Sequence, residues 1–178
     1  MATGATIHRV ELAIADMDRG YYADHALTIA RHPSETVERM MVRLLAFAFH
    51  ADPALQFGRG LSTEDEPDLW QRDDAGQVLR WIDVGLPEER RLRKACGRAA
   101  EVVVVAYGGS RVDAWWKRNA AALSRLERLA VFHLPPEACD ALEAMAGRSM
   151  RLAVNIQEGH AWVGGGAASA EVPMQRLR

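Results

Sequence analysis

Glu66-Pro67-Asp68-Leu69-Trp70 and, beyond a polar turn, Trp81-Ile82-Asp83-Val84-Gly85 read as the two arms of a β-hairpin with one carboxylate on each arm. If Asp74-Ala75-Gly76-Gln77 is the loop, Asp73 faces Val78, and the same register sets Asp68 directly opposite Asp83. Directly opposed residues share one face of the sheet, with Cβ atoms about 5 Å apart. Two carboxylates that close repel unless a cation lies between them, and Mg²⁺ or Mn²⁺ is the usual choice for oxygen ligands. A slip of one residue would send them to opposite faces and abolish the pair.

The chain around the hairpin has 178 residues, 49% hydrophobic and 26% charged, which suits one folded domain over 1–178 and excludes a disordered chain. The apolar run Val102–Val105 closes at Tyr107-Gly108-Gly109, well short of a membrane span. Met1 to Thr6 offers neither a basic region nor an apolar stretch, so the expected location is cytoplasmic and no membrane partner is implied. Cys96 and Cys139 are too few for a disulfide framework and read as reduced thiols. A net charge of −2 gives no bulk attraction to a polyanion. Any nucleic-acid contact must therefore use a local basic face, and Arg90, Arg91, Arg93, Lys94 and Arg98 supply one.

Periodicity assigns the remaining elements. Ile7–Asp16 and Tyr22–Ala30 form an N-terminal hairpin about Asp18-Arg19-Gly20, and Ser34 caps a helix carrying Val37, Met40, Met41, Leu44, Leu45 and Ala48. A strand over Leu55–Leu61 and the acidic connection Ser62–Glu66 lead into the acid-bearing hairpin. Pro87 opens a helix with Leu92, Ala95, Cys96 and Ala99 inward. A buried strand over Glu101–Tyr107, a helix over Arg111–Leu129, a strand over Ala130–Leu134 and a helix from Pro135-Pro136 through Ala146 follow. A terminal hairpin turns at Glu158-Gly159, with a last strand near Ala170–Val172. The expected class is a mixed α/β (α+β) fold, a central mixed sheet flanked by helices with extra hairpins at both ends.

The segments Ile29–Thr36, Glu38-Arg39-Met40-Met41, Asp65-Glu66-Pro67-Asp68 and Gly85-Leu86-Pro87-Glu88-Glu89-Arg90-Arg91 resemble the YaeQ family of bacterial proteins along essentially the whole chain. The resemblance implies a compact variant of the PD-(D/E)XK, restriction-endonuclease-like fold, with its nuclease-like core at about 34–134. That core runs helix, three antiparallel strands, helix, strand, which is also the order read from the residues between Glu35 and Tyr107.

The nuclease pattern asks for a glutamate on the leading helix, matched by Glu38 or, one turn earlier, Glu35. Its next acid is matched by Asp68, with Glu66 as the alternative, and its third by Asp83. A lysine should stand two residues further on, where this chain has Gly85. Arg91, Lys94 and Arg98 lie along one helical stripe nearby, so Lys94, or Arg91 in its stead, is the expected replacement. The implied chemistry is phosphodiester hydrolysis. Asp68 and Asp83 would hold Mg²⁺ or Mn²⁺ with Glu38 or Glu35, Lys94 would stabilise the transition state, and Arg90, Arg91 and Arg98 would face the nucleic acid. The alternative is a non-catalytic protein that keeps the fold and binds a protein or nucleic acid, which Gly85 and the acidic balance favour.

Overall fold

Strict alternation makes the first two strands. β1 (Thr6–Asp16) buries His8, Val10, Leu12, Ile14 and Asp16 on one face, and β2 (Tyr21–Arg31) pairs antiparallel with it along its whole length. The computed structural model describes residues 4–61 and 64–178; Met1 to Thr3, and Ser62 and Thr63 of the acidic connection, lie outside the described residues.

Helix α1 (Val37–Phe49) buries every residue from Met40 to Ala48. A helix apolar on all sides needs cover on all sides, and α1 obtains it by lying between two sheets. Its cap is Thr36, whose hydroxyl accepts from the Arg39 amide at 3.1 Å, and not the expected Ser34. The Ser34 hydroxyl is taken instead by His32 Nδ1 at 2.6 Å, in a turn that precedes the helix. Glu35 therefore stands outside the helix.

The meander follows as β3 (Leu55–Phe57), β4 (Leu69–Arg72) and β5 (Val78–Val84). Helix α2 (Glu89–Arg98) starts two residues past Pro87 and hands Ala99 directly to β6 (Ala99–Ala106). Helix α3 (Ser110–Leu123) stops short of the expected Leu129, which instead opens β7 (Leu129–His133) opposite Val102. Then come α4 (Pro136–Ala144), β8 (Ser149–Gln157), β9 (His160–Gly165), β10 (Ala168–Pro173) and β11 (Gln175–Arg176). The last strand carries no periodic signal in two residues.

The order helix, three antiparallel strands, helix, strand is present from α1 to β6. A six-stranded sheet, β11-β7-β6-β5-β4-β3, contains it. The hairpins expected at the two chain ends are not separate: β1 and β8 pair in parallel and fuse them into a second sheet, β10-β9-β8-β1-β2. The Asp18 carboxylate ties their turns together, accepting the amides of Glu158 and Gly159 at 2.7 and 2.9 Å. The layers run five-stranded sheet, α1 with α4, six-stranded sheet, α2 with α3, and a hydrophobic cluster fills the space on each side of the six-stranded sheet. Cys96 and Cys139 are free thiols. No helix among the described residues is long and apolar enough to cross a membrane.

One glycine sets where β3 ends and where the first acid of the pair begins. The Gly58 amide donates to Asp68 O at 2.9 Å, and a Cβ at position 58 would lie 2.0 Å from Pro67 O. Gly58→Ala should therefore cost about 2–3 kcal/mol in urea denaturation, as a backbone contact that cannot repack. A variant as stable as the parent would contradict this close approach.

Candidate functional site

The two acids are brought together by a register with one irregularity. Leu69 pairs with Ile82, Trp70 with Trp81 and Gln71 with Arg80, but Arg72 pairs with Val78, leaving Leu79 as a bulge. The loop is shorter than expected, because the Asp73 amide donates to Gln77 O and the Asp73 carboxylate accepts the amides of Ala75 and Gln77. The bulge absorbs the difference. Continued one residue past Leu69 and Ile82, the register sets Asp68 across from Asp83 as read from the sequence.

Both carboxylates are buried, and both are paired. Arg39, on the first turn of α1, donates from Nη2 to Asp68 Oδ1 at 2.5 Å, while the Val84 amide donates to Oδ2 at 2.8 Å. Arg91, on α2, grips Asp83 with two donors, Nε to Oδ2 at 2.8 Å and Nη2 to Oδ1 at 3.0 Å. Trp81, two residues before Asp83 and so on the same face of β5, adds its indole N–H to Oδ2 at 3.1 Å. Glu35 completes the network: Oε1 accepts from Arg39 at 2.9 Å, and both its oxygens accept from Arg43 at 2.7 Å. Three carboxylates thus meet three guanidiniums.

Burial raises the Asp68 carboxyl above its ordinary 3.8; Arg39 pulls it down, Asp83 pushes it up, and the Val84 amide lowers it again. Arg39 and Arg91 are held protonated more firmly than usual. For Arg39, burial acts against the charge and is outweighed by Asp68 and Glu35; for Arg91, the hydrogen bond to Asp83 leads. Arg39, Asp68, Asp83 and Arg91 line a cleft of about 270 Å³ with Glu64, Glu66, Leu86 and Pro87.

The acid pair is already charge-paired, so Mg²⁺ or Mn²⁺ would have to displace a guanidinium to bind it. All four oxygens of the acid pair already accept hydrogen bonds, and the charge that would attract a dication is balanced by guanidiniums. Among the described residues, no three His, Cys, Asp or Glu side chains group as they would around a metal ion. Of the expected ligands, Glu35 binds arginines. Glu38 does not line the cleft: its charge acts on Tyr107 and on Cys139, whose thiol is pushed up to about 12 by burial first and Glu38 next.

Lys94 also departs from the expectation. Its ammonium pairs with Asp65 at 2.6 Å on the surface and does not line the cleft. The stripe Arg91, Lys94, Arg98 is present, and it clamps the chain's own acidic connection. Arg91 Nη1 donates to Glu64 O at 2.5 Å and Nη2 to Glu66 O at 2.8 Å, while Arg98 donates to Asp65 O at 3.0 Å. Arg90 is exposed. Glu66 offers its carboxylate to Arg59 and the amide of Arg59, not to the pair. At the position of the missing lysine, Gly85 has φ 102°, a conformation that side-chain-bearing residues rarely adopt.

Arg39, Arg43 and Trp81 are the site residues that motif matching misses. Arg43 had a signal: a cation in the otherwise apolar run Met40–Ala48 demands a buried acid. A pH measurement tests the coupling at the pair. Native Asp68 keeps its proton to higher pH than the unfolded chain, so the stability this supplies is full below 3.8 and is lost as pH rises through the native value. A ¹³C-carboxyl NMR titration should place the Asp68 midpoint above 3.8, and Asp83→Asn should lower it. A midpoint unmoved by Asp83→Asn would mean that the two acids do not sense each other.

The family model described as YaeQ protein matches residues 1–174. The chain is 44% identical over 172 residues to the uncharacterized protein YaeQ of Escherichia coli (strain K12), covering 97% of this chain and 95% of that protein. It is 42% identical over 174 residues to its Salmonella typhi counterpart, with 98% and 96% covered. Among solved structures, the YaeQ protein from Xanthomonas axonopodis pv. citri superposes with a TM-score of 0.95 at 52% identity, over 98% of each chain. That from Pseudomonas syringae gives 0.93 at 40% identity, over 98% of this chain and 96% of its own. A match of this length in sequence and in backbone means that the chain belongs to the YaeQ family.

Proposed function

We propose that this chain is a non-catalytic binding protein built on a nuclease-like core, and that what it binds is another protein. One observation carries the reading: each acid of the pair already holds a guanidinium, and no basic side chain stands two residues after Asp83. A buried acid pair neutralised from within is a structural joint between helices and sheet. Two further features argue against nucleic acid as the partner. Arg91, Lys94 and Arg98 are engaged with the acidic connection, and the net charge of −2 provides no long-range attraction to phosphates.

A second reading, a Mg²⁺- or Mn²⁺-dependent nuclease or phosphodiesterase acting on nucleic acid, is favoured by the fact that Asp68, Asp83 and Arg91 line one cleft. It requires both guanidiniums to leave their acids, and it makes Arg39 and Arg91, not Lys94, the cations within reach of the pair.

Calorimetric titration with Mn²⁺, alongside incubation with single- and double-stranded DNA and RNA, separates the two. The parent should show no saturable Mn²⁺ binding up to about 1 mM, the weak end of oxygen-ligand sites, and no cleavage. Lys94→Ala should behave as the parent. Metal-dependent cleavage that disappears in Asp83→Ala would overturn the binding-protein reading and install the nuclease.

A further inference from the structure

The five-stranded sheet ends in an open edge. Arg9 N donates to Arg148 O and Met17 N to Ile156 O, so the odd-numbered residues of β1 bond toward β8 and the even-numbered ones toward β2. Their partners on β2 are Tyr21, Ala23, His25, Leu27, Ile29 and Arg31. Tyr22, Asp24, Ala26, Thr28 and Ala30 must then turn their N–H and C=O groups away from the sheet. Ala30 fits this, since its carbonyl accepts from Arg43 Nη2 at 3.0 Å on that outer side. Among the described residues, no hydrogen bond reaches the outward backbone groups of Tyr22, Asp24, Ala26 or Thr28.

Burial agrees with an uncovered edge. The inward residues Val10, Leu12 and Ile14 of β1 are buried, whereas Tyr21, Ala23, His25 and Leu27 on the same face of β2 are only half-buried. Proteins usually guard such an edge with charged side chains, lysine above all, or with a proline, a bulge or a short strand, and Asp24 is the one carboxylate on β2. β2 has an unbroken register over eleven residues and contains neither proline nor lysine.

The edge is complementary to itself. Laid antiparallel against a second β2 with Ala26 on the two-fold axis, all eleven residues pair: Tyr21 with Arg31, Tyr22 with Ala30, Ala23 with Ile29, Asp24 with Thr28 and His25 with Leu27. Outward-turned residues then face outward-turned residues, as an antiparallel ladder requires, and each Asp24 meets a hydroxyl. Sliding the two-fold to Asp24 would oppose two carboxylates and leave four residues of each strand unpaired. Small Ala26 on the axis leaves the backbones free to reach ladder distance, and the Ala30 carbonyl keeps a second lone pair beside its bond to Arg43.

We infer that β2 is a homodimerisation edge: two copies of this chain join through antiparallel β2 strands centred on Ala26, making one ten-stranded sheet. The inference is independent of the acid pair and of the reading proposed for it.

Sedimentation velocity on the full chain over a concentration series tests it. The parent should sediment as a dimer. Ala26→Pro removes an amide that β1 does not use and should yield a monomer with unchanged circular dichroism. Thr28→Asp sets one acid against each Asp24, on both sides of the two-fold axis, and should weaken the dimer at least tenfold. Adding Asp24→Lys to Thr28→Asp should restore it, a rescue that only this register provides. A parent that stays monomeric to about 200 µM, the outcome if the edge receives a foreign peptide instead, would overturn the inference. So would a dimer that survives Ala26→Pro, or a Thr28→Asp defect that Asp24→Lys does not repair.

Discussion

Buried acids one strand apart must find positive charge, and in this chain the charge comes from the helices on either side of the sheet. Arg39 reaches Asp68 from α1, and Arg91 reaches Asp83 from α2. These are the two helices that sandwich the strands carrying the acids, so the ion pairs join three layers at one point. Glu35 extends the joint by holding Arg39 and Arg43 together at the entry to α1. Removing one partner of such a pair would strand a buried charge, at a cost of about 3–5 kcal/mol. The network thus works as a constraint on geometry more than as a net source of stability.

The same constraint explains the rest of the site. With Arg91 drawn inward to Asp83, its remaining donors collect the carbonyls of Glu64 and Glu66, and Lys94 and Arg98 on the same stripe fasten Asp65. Glu64, Asp65 and Glu66 are thereby folded down onto α2. Arg91 and Arg98 also lie over the Trp81 ring, at 5.6 and 5.2 Å from its centre, so the aromatic beneath the acid is covered by cations as well. A basic helix face that looks available for phosphate in the sequence is mostly occupied in the folded chain.

Hairpin register is a local property, yet the acid pair keeps the register read from the sequence only because two departures cancel: the loop is one residue shorter than the turn residues suggest, and the Leu79 bulge restores the offset. The αβββαβ order was legible because it too rests on local properties. What the sequence could not display was tertiary. That the N- and C-terminal hairpins share one sheet depends on a parallel pairing of β1 with β8, which has no local signature. That Lys94 turns to Asp65, and Arg91 to Asp83, depends on where the acidic connection lands. The cap at Thr36 in place of Ser34 follows from a turn at His32 that competes for the serine hydroxyl. In sequence Gly85 reads as a lysine lost; its φ of 102° adds that the backbone there does not suit a side chain.

The guanidiniums of Arg39 and Arg91 neutralise Asp68 and Asp83. Crystals grown in excess Mn²⁺ and measured at its absorption edge test this directly. No anomalous peak should appear between the two acids, with Arg39 still on Asp68 and Arg91 still on Asp83. A peak about 2.1 Å from both carboxylates, with the guanidiniums turned away, would contradict it.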